Sequence, residues 1–175
     1  RLMPLRSFTP AERSLTERKR LEQPLLVMIW LGVAMFALAE GQLFYFVAGT
    51  FVVGVNLLAV RRGKEVSLQR LFVNLAVLGA TGVLLLELIA RDLPPLLALG
   101  HYLILIQLCK LFEQKRNRDY AQMIALSLPT VAAAGLISQG LWFAVMLAVY
   151  LVLAARVTMI FTLKRGLDRA AGEKL

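Results

Sequence analysis

The stretch Tyr120–Ala155 reads YAQMIALSLPTVAAAGLISQGLWFAVMLAVYLVLAA, and none of its 36 residues is Asp, Glu, Lys or Arg. As one α-helix it would extend about 54 Å, whereas a bilayer core of about 30 Å is crossed by about 20 apolar residues. The run therefore has to turn back on itself, and Ser138-Gln139-Gly140 is the natural place. Outward from it lie further uncharged runs, Gln23–Ala39, Gly41–Val60, Leu71–Leu86 and Leu93–Cys109, with Val157–Leu163 completing the last helix. Gln23–Val60 is again too long for one crossing, and Glu40-Gly41-Gln42 breaks it. The pattern predicts six helices near 24–40, 43–60, 71–91, 95–113, 120–138 and 141–163. The expected fold is all-α, a polytopic membrane bundle of six transmembrane helices.

Composition agrees. Of 175 residues, 59% are hydrophobic and 18% charged, and the mean hydropathy is +0.70. A soluble domain runs about 45–50% apolar and about 25% charged. The composition argues against a water-soluble single core and against a disordered chain. One Cys and one His leave no material for a disulfide framework, a structural zinc site or a Cys/His cluster.

The formal net charge of +9 is explained by where the basic residues fall. Of the 20 Lys and Arg residues, 18 lie in residues 1–23, the 61–70 turn, the end of the fourth helix with its following loop, and the tail. Arg91 stands on the opposite side and Arg156 lies inside the sixth helix. Basic flanks are retained in the cytoplasm, so both termini and the two longer loops are expected there. The anionic inner leaflet is then the expected lipid partner. Nucleic acid is not expected as a partner, because Trp30, Phe44, Tyr45, Phe46, Trp142 and Phe143 lie in or beside apolar runs rather than among the basic residues.

This divides the chain into a cytoplasmic basic segment (1–23), a six-helix transmembrane region (24–163), and residues 164–175, a basic tail or the start of a connector. Ser14-Leu15-Thr16-Glu17 has the capping-box pattern and predicts a short surface helix, with Pro24 in the first turn of the first span. Pro94-Pro95 separates the third and fourth helices, and Pro129 predicts a kink in the fifth. Arg18-Lys19-Arg20, Leu25–Phe36 and Ala37-Leu38-Ala39 imitate a secretory signal. The long preceding segment and the immediate second span favour an uncleaved helix, and Arg1 in place of Met suggests that the true start lies upstream. Gly49, Gly54, Ala76, Gly79, Ala80, Gly82 and Ala132–Gly135 mark expected close helix contacts.

Charged side chains inside spans point to function because they are costly there. Glu87 and His101 fall at similar depth near the outer face, close enough for a hydrogen bond, and such a pair either relays a proton or is a satisfied interfacial contact. Arg156 is expected to snorkel or to pair with Glu113 for bundle integrity. Glu40 is expected in water at the outer turn. Asn56 and Gln107 are candidates for interhelical hydrogen bonds, and Cys109 lacks a neighbouring His in sequence. No catalytic, cofactor-binding or metal-ligating set is assigned, and no cofactor is expected.

The loop after the fourth helix reads Lys110-Leu111-Phe112-Glu113-Gln114-Lys115-Arg116-Asn117-Arg118-Asp119. It resembles a charged motif of the amino-terminal membrane domain of TgpA-type transglutaminase-like proteins, whose matching positions are Lys110, Glu113, Lys115, Arg118 and Asp119. Gly100–Cys109, Tyr120–Leu141 and Tyr150–Ala170 resemble the flanking spans, whereas the first three helices agree in hydropathy and placement alone. Independently of the resemblance, Lys110 and Glu113 are i,i+3 neighbours able to pair, and Asp119 complements the positive start of the fifth helix.

The resemblance implies a multi-pass protein of the bacterial cytoplasmic (inner) membrane. It also implies a transglutaminase-like domain in cis beyond Leu175, with a papain-like fold and a Cys-His-Asp triad. Cys109 and His101 do not stand in that triad's motif, so any enzymatic activity would belong to the parent protein. The function expected for this chain is a non-catalytic membrane anchor. The alternatives are a small transporter or channel using Glu87, His101 and Arg156, and a structural subunit of a membrane complex.

Overall fold

A computed structural model describes residues 10–63, 70–90, 94–113, 117–138 and 140–172. Among them are six helices: α1 (Pro10–Glu40), α2 (Leu43–Arg61), α3 (Arg70–Ala90), α4 (Pro95–Lys110), α5 (Asn117–Ile137) and α6 (Leu141–Gly172). No strand occurs among the described residues. Five of the six have a stretch long and apolar enough to cross a membrane. The exception is α4, whose 16 residues extend about 24 Å before turns at Leu111–Glu113 end it short of the predicted boundary.

The chain reverses between α1 and α2 where predicted. Gly41 takes φ 79°, and the Gly41 and Gln42 amides both donate to the Ala37 carbonyl, closing α1 with a left-handed cap. The N-terminal expectation needs correction. The helix is continuous from Pro10, so Ser14 does not start one, and Pro24 lies inside it. A proline interrupts the backbone ladder through its missing N–H and ring clash, and packing on both sides of Pro24 holds the helix in one piece. Leu21, Leu25 and Leu26 are all buried there. Likewise α5 runs through Pro129.

α1 is the hub. It packs against α2, α5 and α6 and touches α4, while α3 packs only on α4 among the described helices. Its span is 72% buried, compared with 11% for that of α6. Met28, Ile29, Met35 and Phe36 are fully enclosed, with Ile104 of α4, Met123 of α5 and Tyr150 and Val157 of α6 against the same core. The outward faces remain apolar: Leu43, Phe51, Leu71, Leu78, Ile89, Leu141 and Val152 are exposed.

Close approach occurs at fewer small residues than expected. A Cβ on Gly49 would lie 2.7 Å from Val33, and one on Gly100 would lie 2.1 Å from the Phe36 ring. Gly54, Gly79 and Gly82 face open space, because α2 and α3 do not pack together. Polar ties join neighbouring helices instead. Trp30 Nε1 donates to Thr50 Oγ1 at 3.0 Å between α1 and α2. Ser127 gives its proton to the Ile124 carbonyl, so the Tyr150 hydroxyl donates to Ser127 Oγ at 2.7 Å between α5 and α6.

Candidate functional site

At the end of the bundle where α1 finishes and α4 begins, three helices bring ionisable side chains to one point. His101 is in the second turn of α4, which Pro94 and Pro95 start, and Gly100 beside it lets α4 approach the Phe36 ring of α1. His101 Nδ1 lies 2.9 Å from Glu87 Oε2 of α3, and Nε2 lies 2.7 Å from Glu40 Oε2 at the end of α1. The His101, Glu87 and Glu40 side chains are 2%, 5% and 6% exposed. Tyr45 of α2 stacks on the imidazole at 4.3 Å, and Phe36 meets it edge-on at 5.8 Å.

Proton counting fixes what this arrangement holds. Each imidazole nitrogen either donates to a carboxylate or accepts from a carboxylic acid, so both bonds need at least two protons among the three groups. With two, an imidazolium between carboxylates and a neutral imidazole between one acid and one carboxylate both carry a net charge of −1. Passing between these arrangements moves a proton along a Glu40–His101–Glu87 line without moving a heavy atom far. Such an array suits proton transfer and is also a strong three-helix clamp.

The Glu87–His101 hydrogen bond is present, but the expectation of a solvated Glu40 is overturned. Glu40, the last residue of α1 before the Gly41 cap, meets His101 Nε2 of α4 and is 6% exposed at its side chain. Glu40 Oε1 is buried without a partner among the described residues. A cleft of about 660 Å³ separates the start of α2 from α3, lined by Phe44, Tyr45, Gly79, Gly82 and Leu86, with Glu87 in its wall.

The other candidates lie elsewhere. Lys110 Nζ is 3.0 Å from Glu113, as the i,i+3 spacing predicts, and donates to Gln122 Oε1 at 2.8 Å. Asp119 occupies the first turn of α5, Arg118 is exposed, and Lys115 lies outside the described residues. The pairing of Arg156 with Glu113 is not found. Glu113 is held by Lys110 at the end of α4, whereas Arg156 is exposed on α6, in a groove shared with Arg20 and Lys164. Asn56 bonds the Val52 carbonyl of its own helix, and both polar atoms of buried Gln107 are without partners among the described residues. Neither is an interhelical tie. Cys109 is eight residues beyond His101 on α4, about 12 Å along the axis, too far for a thiol–imidazole pair.

A buried acid–tyrosine contact between α1 and α5 escaped the reading of the sequence. Tyr120 donates to Glu22, which is 2% exposed, and Lys164 Nζ lies 4.9 Å over the same ring. Neither the curated proteins nor the solved structures hold a match to this chain. Residues 25–172 match the family described as the TgpA N-terminal domain, which takes in α2 to α6 and the second half of α1. The chain belongs to the TgpA N-terminal domain family.

Proposed function

We propose that this chain is the membrane anchor of a TgpA-type protein. In this reading it crosses the bacterial inner membrane six times, keeps both termini in the cytoplasm, and is itself non-catalytic. A transglutaminase-like domain in the same polypeptide carries the chemistry. The observation that carries the reading is the surface: a core centred on α1 is wrapped by apolar faces of α2, α3 and α6 that stay exposed. Water would penalise that surface at about 25 cal/mol per Å², and lipid would not. The short α4 is compatible with a crossing, since Pro94 and Lys110 bracket it and Ala98, Ile104 and Leu108 are buried against its neighbours.

The test has two parts. The expressed chain stays in the membrane fraction after alkaline carbonate extraction, and the purified chain shows no amine transfer or peptide hydrolysis. Release by carbonate sinks the membrane assignment, and either activity sinks the non-catalytic one.

A transport reading draws on the Glu40–His101–Glu87 array and the adjoining cleft. In that case proteoliposomes would show proton-coupled flux that Glu87→Gln abolishes. Arg156, the third residue of the transport alternative, lies apart from that array on α6.

A further inference from the structure

Arg20 of α1 and Arg156 and Lys164 of α6 line a groove of about 650 Å³ whose other walls are Gln23, Pro24, Ile160 and Leu163. Two features make this more than a basic surface. Arg156 precedes Lys164 by eight residues of continuous helix, so its backbone lies about 12 Å deeper than the basic end of α6. It is exposed there, and no described acid pairs with it: Glu113 is held by Lys110, and Glu22 is buried against Tyr120. A guanidinium at that depth faces a large desolvation cost unless an anion meets it or it reaches toward the interface. The groove runs in that direction, toward Lys164, which is held over the Tyr120 ring, and Arg20 on the opposite wall.

We propose that this groove binds one anionic glycerophospholipid of the inner leaflet. Its phosphate sits among Arg20, Arg156 and Lys164, and its acyl chains lie along Ile160 and Leu163. The guanidinium of Arg156 offers a forked donor set that matches phosphate oxygens, and the apolar wall makes a lipid a better fit than a free ion. The site rests on the membrane reading above, since it requires the α1–α6 seam to face the inner leaflet.

The full chain, extracted in mild detergent, is titrated with phosphatidylglycerol and separately with phosphatidylcholine of the same chain length. Native mass spectrometry reads the bound fraction. Phosphatidylglycerol is expected to bind in preference, and inorganic phosphate at millimolar concentration is expected not to displace it. Arg156→Gln weakens the binding about fivefold, the effect of one basic residue near an anionic headgroup, and Lys164→Gln does the same. Arg156→Lys, which keeps the charge and loses the fork, weakens it less than Arg156→Gln, and Arg62→Gln, a single charge removed from the loop after α2, leaves it unchanged.

Equal binding of the two lipids overturns the proposal. So does a loss in Arg62→Gln equal to that in Arg156→Gln, which would indicate general surface attraction, or displacement by inorganic phosphate, which would indicate a simple ion site. A chain that leaves the membrane fraction with carbonate fails the membrane reading. A chain that stays there and shows no lipid preference fails this site alone.

Discussion

His101 shows how much one residue can settle in an apolar bundle. It spends both ring nitrogens on carboxylates from two other helices, and Tyr45 of a fourth helix lies flat on its ring. Removing the imidazole leaves Glu40 and Glu87 buried without their shared partner, and breaking such a contact costs about 3–5 kcal/mol. His101→Ala should therefore lower the SDS-unfolding midpoint strongly, and adding Glu40→Gln and Glu87→Gln should recover part of the loss. An unchanged midpoint in His101→Ala would refute the clamp. The neighbouring Gly100 is constrained for a different reason. A methyl group there would lie 2.1 Å from the ring of Phe36, which is fully buried and cannot swing away. Gly100→Ala should cost about 1–3 kcal/mol by overpacking. Phe36→Leu in the same chain should relieve it, and additive losses in the double variant would contradict the proposed clash.

At the scale of elements, association of α5 with α6 is tied by the Tyr150 hydroxyl donating to Ser127. Lipid tails provide little hydrophobic drive for helix pairing, so such bonds contribute modestly, about 0.6 kcal/mol each on average. A double-mutant cycle of Ser127→Ala and Tyr150→Phe should return a coupling of about that size, and zero coupling would show that shape alone seats α6. The first helix behaves differently from the rest. Its apolar run looks from sequence much like the others, yet it is the one surrounded by neighbours, with Phe36, Met35 and Ile29 fully enclosed. Hydropathy reports how apolar a span is and not whether protein or lipid covers it. This is why the hub could not be read from composition, and why Gly79 and Gly82 of α3 looked like packing residues while facing an open cleft.

For the whole molecule, the distribution of basic residues makes an orientation testable. Under the proposed orientation, with Cys109 replaced by Ser, a cysteine at Gln42 in the turn between α1 and α2 should react with a membrane-impermeant maleimide in intact cells. One at Arg62 should react only after the membrane is opened; both residues are exposed in the bundle. The reverse labelling pattern would invert the topology and move the Arg20–Arg156–Lys164 groove to the outer leaflet.

Helix number and approximate limits followed from the sequence because uncharged run length is compared with a fixed bilayer thickness, and turns sit where charge, Gly or Pro interrupts the runs. The Lys110–Glu113 contact and the Glu87–His101 contact were legible for similar reasons: one is spacing on a single helix, the other is depth on two helices joined by a short turn. Glu40 was misplaced because its environment depends on how the end of α1 lies over α4, 61 residues away in sequence from His101. Of the two expectations for Arg156, the pairing with Glu113 is not met, because depth along a helix does not give the direction a side chain faces around it. The sequence by itself determined the number of helices and which ends carry charge, since both are one-dimensional properties of the chain. Only the tertiary structure decided which helix is central, which carboxylates share the histidine, and where an exposed arginine opens onto a groove. Those depend on rotation and neighbour order among helices that are apolar on almost every face.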